Sequence, residues 1–324
     1  MRTLHSRIVA IAFLSNTLLL VGGHAQPIQD GSDRQNMKSV SAKPSVSITE
    51  KNGKRLIESN GIPNHSTGQF PNRGNPNAIS PQNHKLEMPL QPVENSTFTV
   101  TKRQPIGVAV NGVLFEPGTA EFWKNNPNSG WHIEAIGGLR NLGLDQNLAH
   151  VQPTGAYHYH GIPEGLITKE TASGKEMILL GWAADGFPIY GPMAHADAMA
   201  PKSNLRVMKP SYRLKQGQRP SGSIGPGGNY NGDYTEDFEF VDGSGDLDEA
   251  NGRRGVTPEH LSGTYYYVAT GDFPFLPRMF KGTPDQSFSR TKGGGRGMRE
   301  NRGGQGPPPD SRPPGMRPAA PANR

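Results

Sequence analysis

The stretch from Asn60 to Pro92, NGIPNHSTGQFPNRGNPNAISPQNHKLEMPLQP, sets the firmest limit on how this chain can fold. Proline fixes φ and removes a backbone donor, so a run this crowded with Pro, Asn and Gly can be neither a long helix nor a central strand. It is either a disordered linker or a surface loop ordered by side-chain hydrogen bonds. The recurrence of Ile62, Phe70, Ile79 and Leu86 through it favours the ordered loop. Elsewhere, too, few segments carry ten residues of clean helical period. The expected fold class is mainly β, with short helices and long ordered loops in a single domain. A sandwich is one arrangement open to it.

Strand signals are placed accordingly. Val46, Ile48, Leu56 and Ile57 alternate around Asn52-Gly53, the signature of a tight hairpin turn. Residues 96–118 read as strands folded about Asn111-Gly112, and Tyr157–His160, Met177–Trp182 and 263–270 read as further strands. Short helices are expected at Thr119–Lys124 and Met193–Met199, with a helical turn within Trp131–Leu144 interrupted by Gly137-Gly138. Gly155-Ala156-Tyr157-His158-Tyr159-His160 echoes Gly263-Thr264-Tyr265-Tyr266-Tyr267-Val268, as two matched strands in a two-fold arrangement would.

Residues 1–25 read as a signal peptide: Arg2 and Arg7, then a mostly apolar run over Ile8–Val21, then small residues around Ala25. Export to a periplasm or the exterior is expected. No later segment has the apolar length of a spanning helix. The chain has no cysteine, which excludes disulfides, thiolate metal sites and cysteine nucleophiles. Residues 26–44 read as a flexible leader, 45–288 as the domain, and 289–324 as a disordered basic tail rich in Gly, Pro and Arg. The net charge of +6 belongs to that tail; with the first 25 residues adding +2, residues 26–288 carry −2. Nothing therefore directs the domain to nucleic acid. The tail could contact anionic surfaces or serve only as a solubilising segment. An unknown small molecule or polymer is the expected ligand.

The motif that carries chemistry is Tyr157-His158-Tyr159-His160. On a strand, alternate side chains share a face, so His158 and His160 point one way and the tyrosines the other. Their Cα atoms would lie about 6.6 Å apart, close enough for two imidazoles to converge on one ion. Surface or hydrogen-bonded core histidines are the alternative reading.

The motif and its flanks resemble the YHYH-domain proteins. The matching blocks include SNGIPNH (59–65), AVNGVLFEPGTAEFW (109–123), LGLDQNLAHVQPTGAYHYHGIPEGL (142–166), GWAADGFPIYGP (181–192) and FPFLPRMFKGTPD (273–285). The resemblance covers about residues 55–285. It implies an exported protein and brings no settled activity. Relatives resemble Leu-Asp-x-Cys-Asn-Gly where this chain has Leu247–Gly252, and carry a second Tyr-His-Tyr where it has Tyr265-Tyr266-Tyr267. The resemblance therefore does not carry over to this chain any role tied to that cysteine or that second histidine.

His150 is the best third ligand, because the turn through Pro153 and Gly155 could fold it back onto the His158 strand. His65 and His132 follow as loop-borne candidates. Two imidazoles with oxygen donors suit zinc, copper(II) or iron. Asp185, in an Asp-Gly turn, is the candidate acid–base group or partner of a ligating histidine, or simply a turn former. The acidic stretch around Asp246 and Asp248 offers oxygens of the calcium-binding kind but fails the EF-hand pattern. Serine-hydrolase, Walker and dinucleotide-binding motifs are absent. The expected function is an exported metal-binding protein of undecided catalytic activity. The rival expectation is a non-catalytic envelope binding or structural module, for a carbohydrate or a protein.

Overall fold

The computed structural model describes residues 42–101, 104–171 and 173–289. All of them belong to one compact unit. The expected signal peptide, most of the leader, and the tail beyond Ser289 lie outside the described residues. No helix among the described residues is long and apolar enough to cross a membrane.

The chain opens as the sequence requires. Strands β1 (Val46–Lys51) and β2 (Lys54–Ser59) pair in register about Asn52 and Gly53. Both turn residues have positive φ, 53° and 74°, the geometry that matches hairpin twist. β3 (His84–Pro89) adds to β2 as an edge strand, where the terminal Pro89 costs no central ladder bond. Ile57, Leu86 and Met88 bring this small sheet onto the main core.

The loop between β2 and β3 is ordered by its asparagines. Asn75 and Asn77 both donate Nδ2–H to the Val151 carbonyl, at 2.9 and 2.8 Å. Asn72 donates to the Gly143 carbonyl at 3.0 Å and accepts from Gly74 and Asn75 N–H. These bonds tie the loop to the strand that carries His150.

After β4 (Thr99–Val100) come β5 (Gly107–Ala109) and β6 (Leu114–Phe115), folded about Asn111-Gly112. Next are β7 (Ala149–Val151), β8 (Tyr157–Tyr159), the α-helix α1 (Glu164–Glu170), β9 (Leu179–Ala183) and β10 (Pro188–Tyr190). Two hairpin-like pairs follow: β11 (Met193–His195) with β12 (Leu205–Val207), and β13 (Tyr212–Leu214) with β14 (Phe238–Phe240). The chain then forms β15 (Gly252–Gly255), β16 (Thr264–Val268) and β17 (Met279–Phe280), the last pairing with β4. Among the described residues the architecture is thus predominantly β with one short helix, its main sheet curled in the manner of a sandwich or half-barrel.

Three helical expectations fail. Thr119–Lys124 yields only a 3-10 turn at Trp123–Asn125, with Lys124 left-handed at φ 54°. Trp131–Leu144 forms bridges instead, Phe122 to His132 and Ile133 to Tyr234. Met193–Met199 opens as strand β11, whose Ala194 packs into a small apolar cluster. In each, tertiary pairing overrides a weak local preference. The helix that does form, α1, starts after Pro163 and buries Leu166 and Ile167.

The main sheet runs β15-β16-β10-β9-β5-β6-β8-β7. Its order is two-fold: β5 and β9 pair antiparallel at the centre. On either side an antiparallel hairpin partner comes next (β6, β10), then a parallel strand (β8, β16), then an antiparallel edge (β7, β15). The echoed segments Tyr157–Tyr159 and Tyr265–Tyr267 occupy equivalent places. The correspondence extends into loops: Asp145 N–H bonds the Ala149 carbonyl as Asp248 N–H bonds that of Gly252. Tyr157, Tyr159, Tyr265 and Tyr267 all enter the main core. The opposite faces differ. Behind β16, Tyr266 and Val268 join Tyr190, Met208 and Leu247 in a second apolar cluster. Behind β8, the equivalent places hold His158, His160 and Glu116.

Candidate metal centre

His158 lies within β8 and His160 just beyond its end, so strand alternation turns both onto the face opposite the tyrosines. His150 reaches them by registry: β7 pairs antiparallel with β8 and sets His150 directly across from His158. The β7–β8 turn depends on Gly155, whose φ is +84° and whose missing Cβ would sit 1.9 Å from Ser80 Oγ.

The three rings meet at their Nε2 atoms. His160 Nε2 lies 3.0 Å from His158 Nε2 and 3.1 Å from His150 Nε2. Ring centroids are 4.7–4.8 Å apart. His158 and His160 are buried, at 3% and 1% exposure, and His150 is half-buried. Among the described residues these three are the one group of His or acidic side chains close enough to hold a metal ion.

The hydrogen bonds orient the rings for that task. His150 Nδ1 donates to the Leu142 carbonyl at 2.8 Å and His158 Nδ1 to that of Ala156 at 3.2 Å. A proton on Nδ1 leaves the lone pair on Nε2, which is the ligating atom. His160 Nδ1 is buried and makes no hydrogen bond of good geometry, although the Pro117 carbonyl favours a proton on this ring. His160 Nε2 could donate one proton to one neighbour but never satisfy both, so lone pairs face each other in a desolvated site. A cation removes that repulsion. Tetrahedral ligands at zinc-like bond lengths stand roughly 3.3 Å from one another, close to the separations found here. Burial holds the His150 imidazolium down to about 4, with the neighbouring His158 charge adding to the effect. Burial pushes His160 down as well, with His158 and His150 contributing. Neutral imidazoles at neutral pH are what ligation requires.

The cluster faces a cavity of about 680 Å³. Glu116 lines it. The parallel β6–β8 register pairs Phe115 with Tyr159, so Glu116 follows onto the histidine face. Gln152 Nε2 donates to Glu116 Oε2 at 2.7 Å. Its lining also includes His132, Glu236, Arg278 and the rings of Tyr212, Phe238 and Phe273. None of the non-histidine groups has a short-range signal in the sequence, because each reaches the cavity by long-range pairing.

The other candidates are placed elsewhere. His65 Nε2 lies 2.6 Å from the Tyr159 hydroxyl, on the core side of β8, and burial lowers its basicity. His132 sits in the cavity wall but bonds Glu236 rather than the three histidines. Asp185 is buried beneath its turn, where Oδ2 accepts from the Tyr267 hydroxyl at 2.5 Å and from Gly282 N–H at 2.8 Å. Burial raises its carboxyl above the usual range, against the pull of those bonds. None of its hydrogen bonds goes to a histidine, and it does not line the cavity. No calcium site is evident in the acidic stretch: Asp246 is engaged by the Arg206 guanidinium and Lys209 N–H, and Asp248 by the Tyr265 hydroxyl and Ala250 and Gly252 N–H. Their oxygens serve an ion pair and a turn and do not converge.

The second half of the sheet shows what the first half would be without this centre. At the place of His150 and His158 stand Arg253 and Tyr266, with Arg253 Nε donating to the Tyr266 hydroxyl at 2.7 Å. The three histidines come together with no contribution from the second half of the sheet.

The family described as YHYH protein matches residues 85–282. No curated protein matches the chain, and no solved structure does.

Proposed function

The chain belongs to the YHYH protein family, and for this member we propose a metal-binding function in which His150, His158 and His160 together hold one divalent ion. The observation that carries the reading is the convergence of three imidazoles, His160 Nε2 lying 3.0 and 3.1 Å from the Nε2 atoms of His158 and His150, with two Nδ1 atoms held by carbonyls. Three imidazoles suit zinc, copper(II) or iron. Three protein ligands also leave a coordination position toward the cavity, the feature that separates ligand-binding or catalytic centres from closed structural ones. When bound, such an ion would act as a Lewis acid or, if redox-active, handle oxygen chemistry. The chain's own part is to keep three neutral nitrogens in place and to shield them. The rival reading, a binding module in which the histidines lack a third partner, is disfavoured by the position of His150.

We also infer that the protein is exported by its first 25 residues and that the domain spans 45–288. The charge split and the composition support this part.

The test is titration with cobalt(II), whose visible absorption reports ligand number and geometry. One equivalent producing an intense four-coordinate spectrum, abolished in His150→Ala, His158→Ala and His160→Ala variants that stay folded, is the expected result. A six-coordinate, aqueous-type spectrum in the wild type would end the metal reading.

A further inference from the structure

The cavity above the three histidines has a second polar wall. His132 Nδ1 lies 2.6 Å from Glu236 Oε1, and His132 N–H donates to Glu236 Oε2 at 2.7 Å. Thr235 N–H donates to the His132 carbonyl at 2.9 Å, and the Phe122 ring packs against the imidazole at 5.0 Å. The imidazole is therefore gripped on its backbone, one face and one nitrogen. The carboxylate on Nδ1 assigns the proton to that nitrogen and leaves Nε2 as an acceptor. Nε2 makes no hydrogen bond within the described residues, and its ring borders the same cavity as the histidine cluster.

Arg278 supplies a cationic group to this space. Its Nη2 is bidentate to the buried Glu134, at 2.9 and 3.0 Å, and its Nη1 donates to Thr235 Oγ1 at 3.3 Å. A guanidinium has five N–H groups, so Nη1 keeps one to spare. Its positive charge is felt at His160. Between these polar points the lining is largely apolar, with the rings of Phe273 and Tyr212 and the side chain of Met279. A cavity of about 680 Å³ falls within the ordinary span for a small organic ligand.

We propose that His132 and Glu236 form the proton-accepting end of a ligand subsite for a small aromatic hydroxy acid. The carboxylate of such a ligand faces the histidine centre and Arg278, its ring lies against the apolar lining beside Tyr212 and Met279, and its hydroxyl donates to His132 Nε2. Glu236 is a positioning residue: it fixes the tautomer that accepts. The inference rests on the metal reading above, since one end of the ligand is placed at that centre.

The test measures binding by calorimetry to the zinc-loaded full-length protein, with benzoate, 3-hydroxybenzoate and 4-hydroxybenzoate as probes. One hydroxybenzoate should bind about tenfold more tightly than benzoate, the worth of one well-made hydrogen bond. That advantage should vanish in His132→Asn and shrink in Glu236→Gln, while benzoate affinity stays unchanged in both. Melting curves establish that the variants fold. A purely structural pair would alter all three probes together. Equal affinities in the wild type, no binding of any probe, or an advantage that survives in folded His132→Asn would overturn the subsite and leave the metal centre standing. Failure of the wild type to take up zinc would instead overturn the metal reading, and the subsite with it.

Discussion

Three imidazoles packed edge to edge should make the metal-free protein sensitive to mild acid, and His150 gives the size of the effect. Its folded-state value is pushed down to about 4 from an unfolded value of 6.5, chiefly by burial. A histidine depressed on folding binds more protons in the unfolded chain. Its contribution is therefore present above pH 6.5 and drains away as pH falls, reaching its limit below about pH 4. Between pH 7 and pH 5, linkage gives a loss of about 2 kcal/mol from His150 alone. His160, shifted the same way, adds to it. Asp185 and Asp248 oppose it, because burial raises their carboxyls and protonation then favours the folded state. The clean quantity is a difference. Urea midpoints of the chelator-treated wild type and of His150→Gln, measured at pH 7, 6 and 5, should converge as pH falls, by roughly 2 kcal/mol in total. Parallel pH profiles for the two proteins would refute the claim that His150 is held neutral by its surroundings.

Three further outcomes follow from the packing. Tyr159→Phe removes the hydroxyl that meets His65 and Asn111, leaving a buried Asn111 donor unpaired, and should cost about 1–3 kcal/mol in urea unfolding without changing metal content. Asp237→Ala strands the buried Arg219 guanidinium and removes acceptors from Gly232 and Asn231 N–H, for a loss of about 3–5 kcal/mol by the same assay. Gly155→Ala places a Cβ against Ser80 Oγ at positive φ; it should destabilise by more than about 1 kcal/mol and weaken cobalt binding, since this turn sets His150 against His158.

What could be read from the sequence was local. Asn52-Gly53 and Asn111-Gly112 specify their turns by backbone chemistry that only such residues satisfy, and the strands around them formed. The asparagine-rich loop was legible because its apolar residues recur and its amides supply donors. His158 and His160 follow from strand alternation, and His150 from the turn at Gly155. The failures lie where distant partners decide. Trp131–Leu144 is shaped by bridges to Tyr234, and Ala194 is drawn into a strand by the cluster over Tyr266. His65 and His132 carry no mark that separates a ligand from a hydrogen-bonded imidazole; their partners, Tyr159 and Glu236, lie 94 and 104 residues away. Glu116 reaches the histidine face only through the parallel β6–β8 pairing, which no local pattern announces.

The most direct test of the central claim is the metal content of the protein purified from a periplasm, measured by mass spectrometry beside His150→Ala, His158→Ala and His160→Ala. Close to one equivalent of a single transition metal in the wild type, lost in all three folded variants and retained in His65→Ala, is the predicted result. A wild type that carries no metal and takes up none on reconstitution would contradict it.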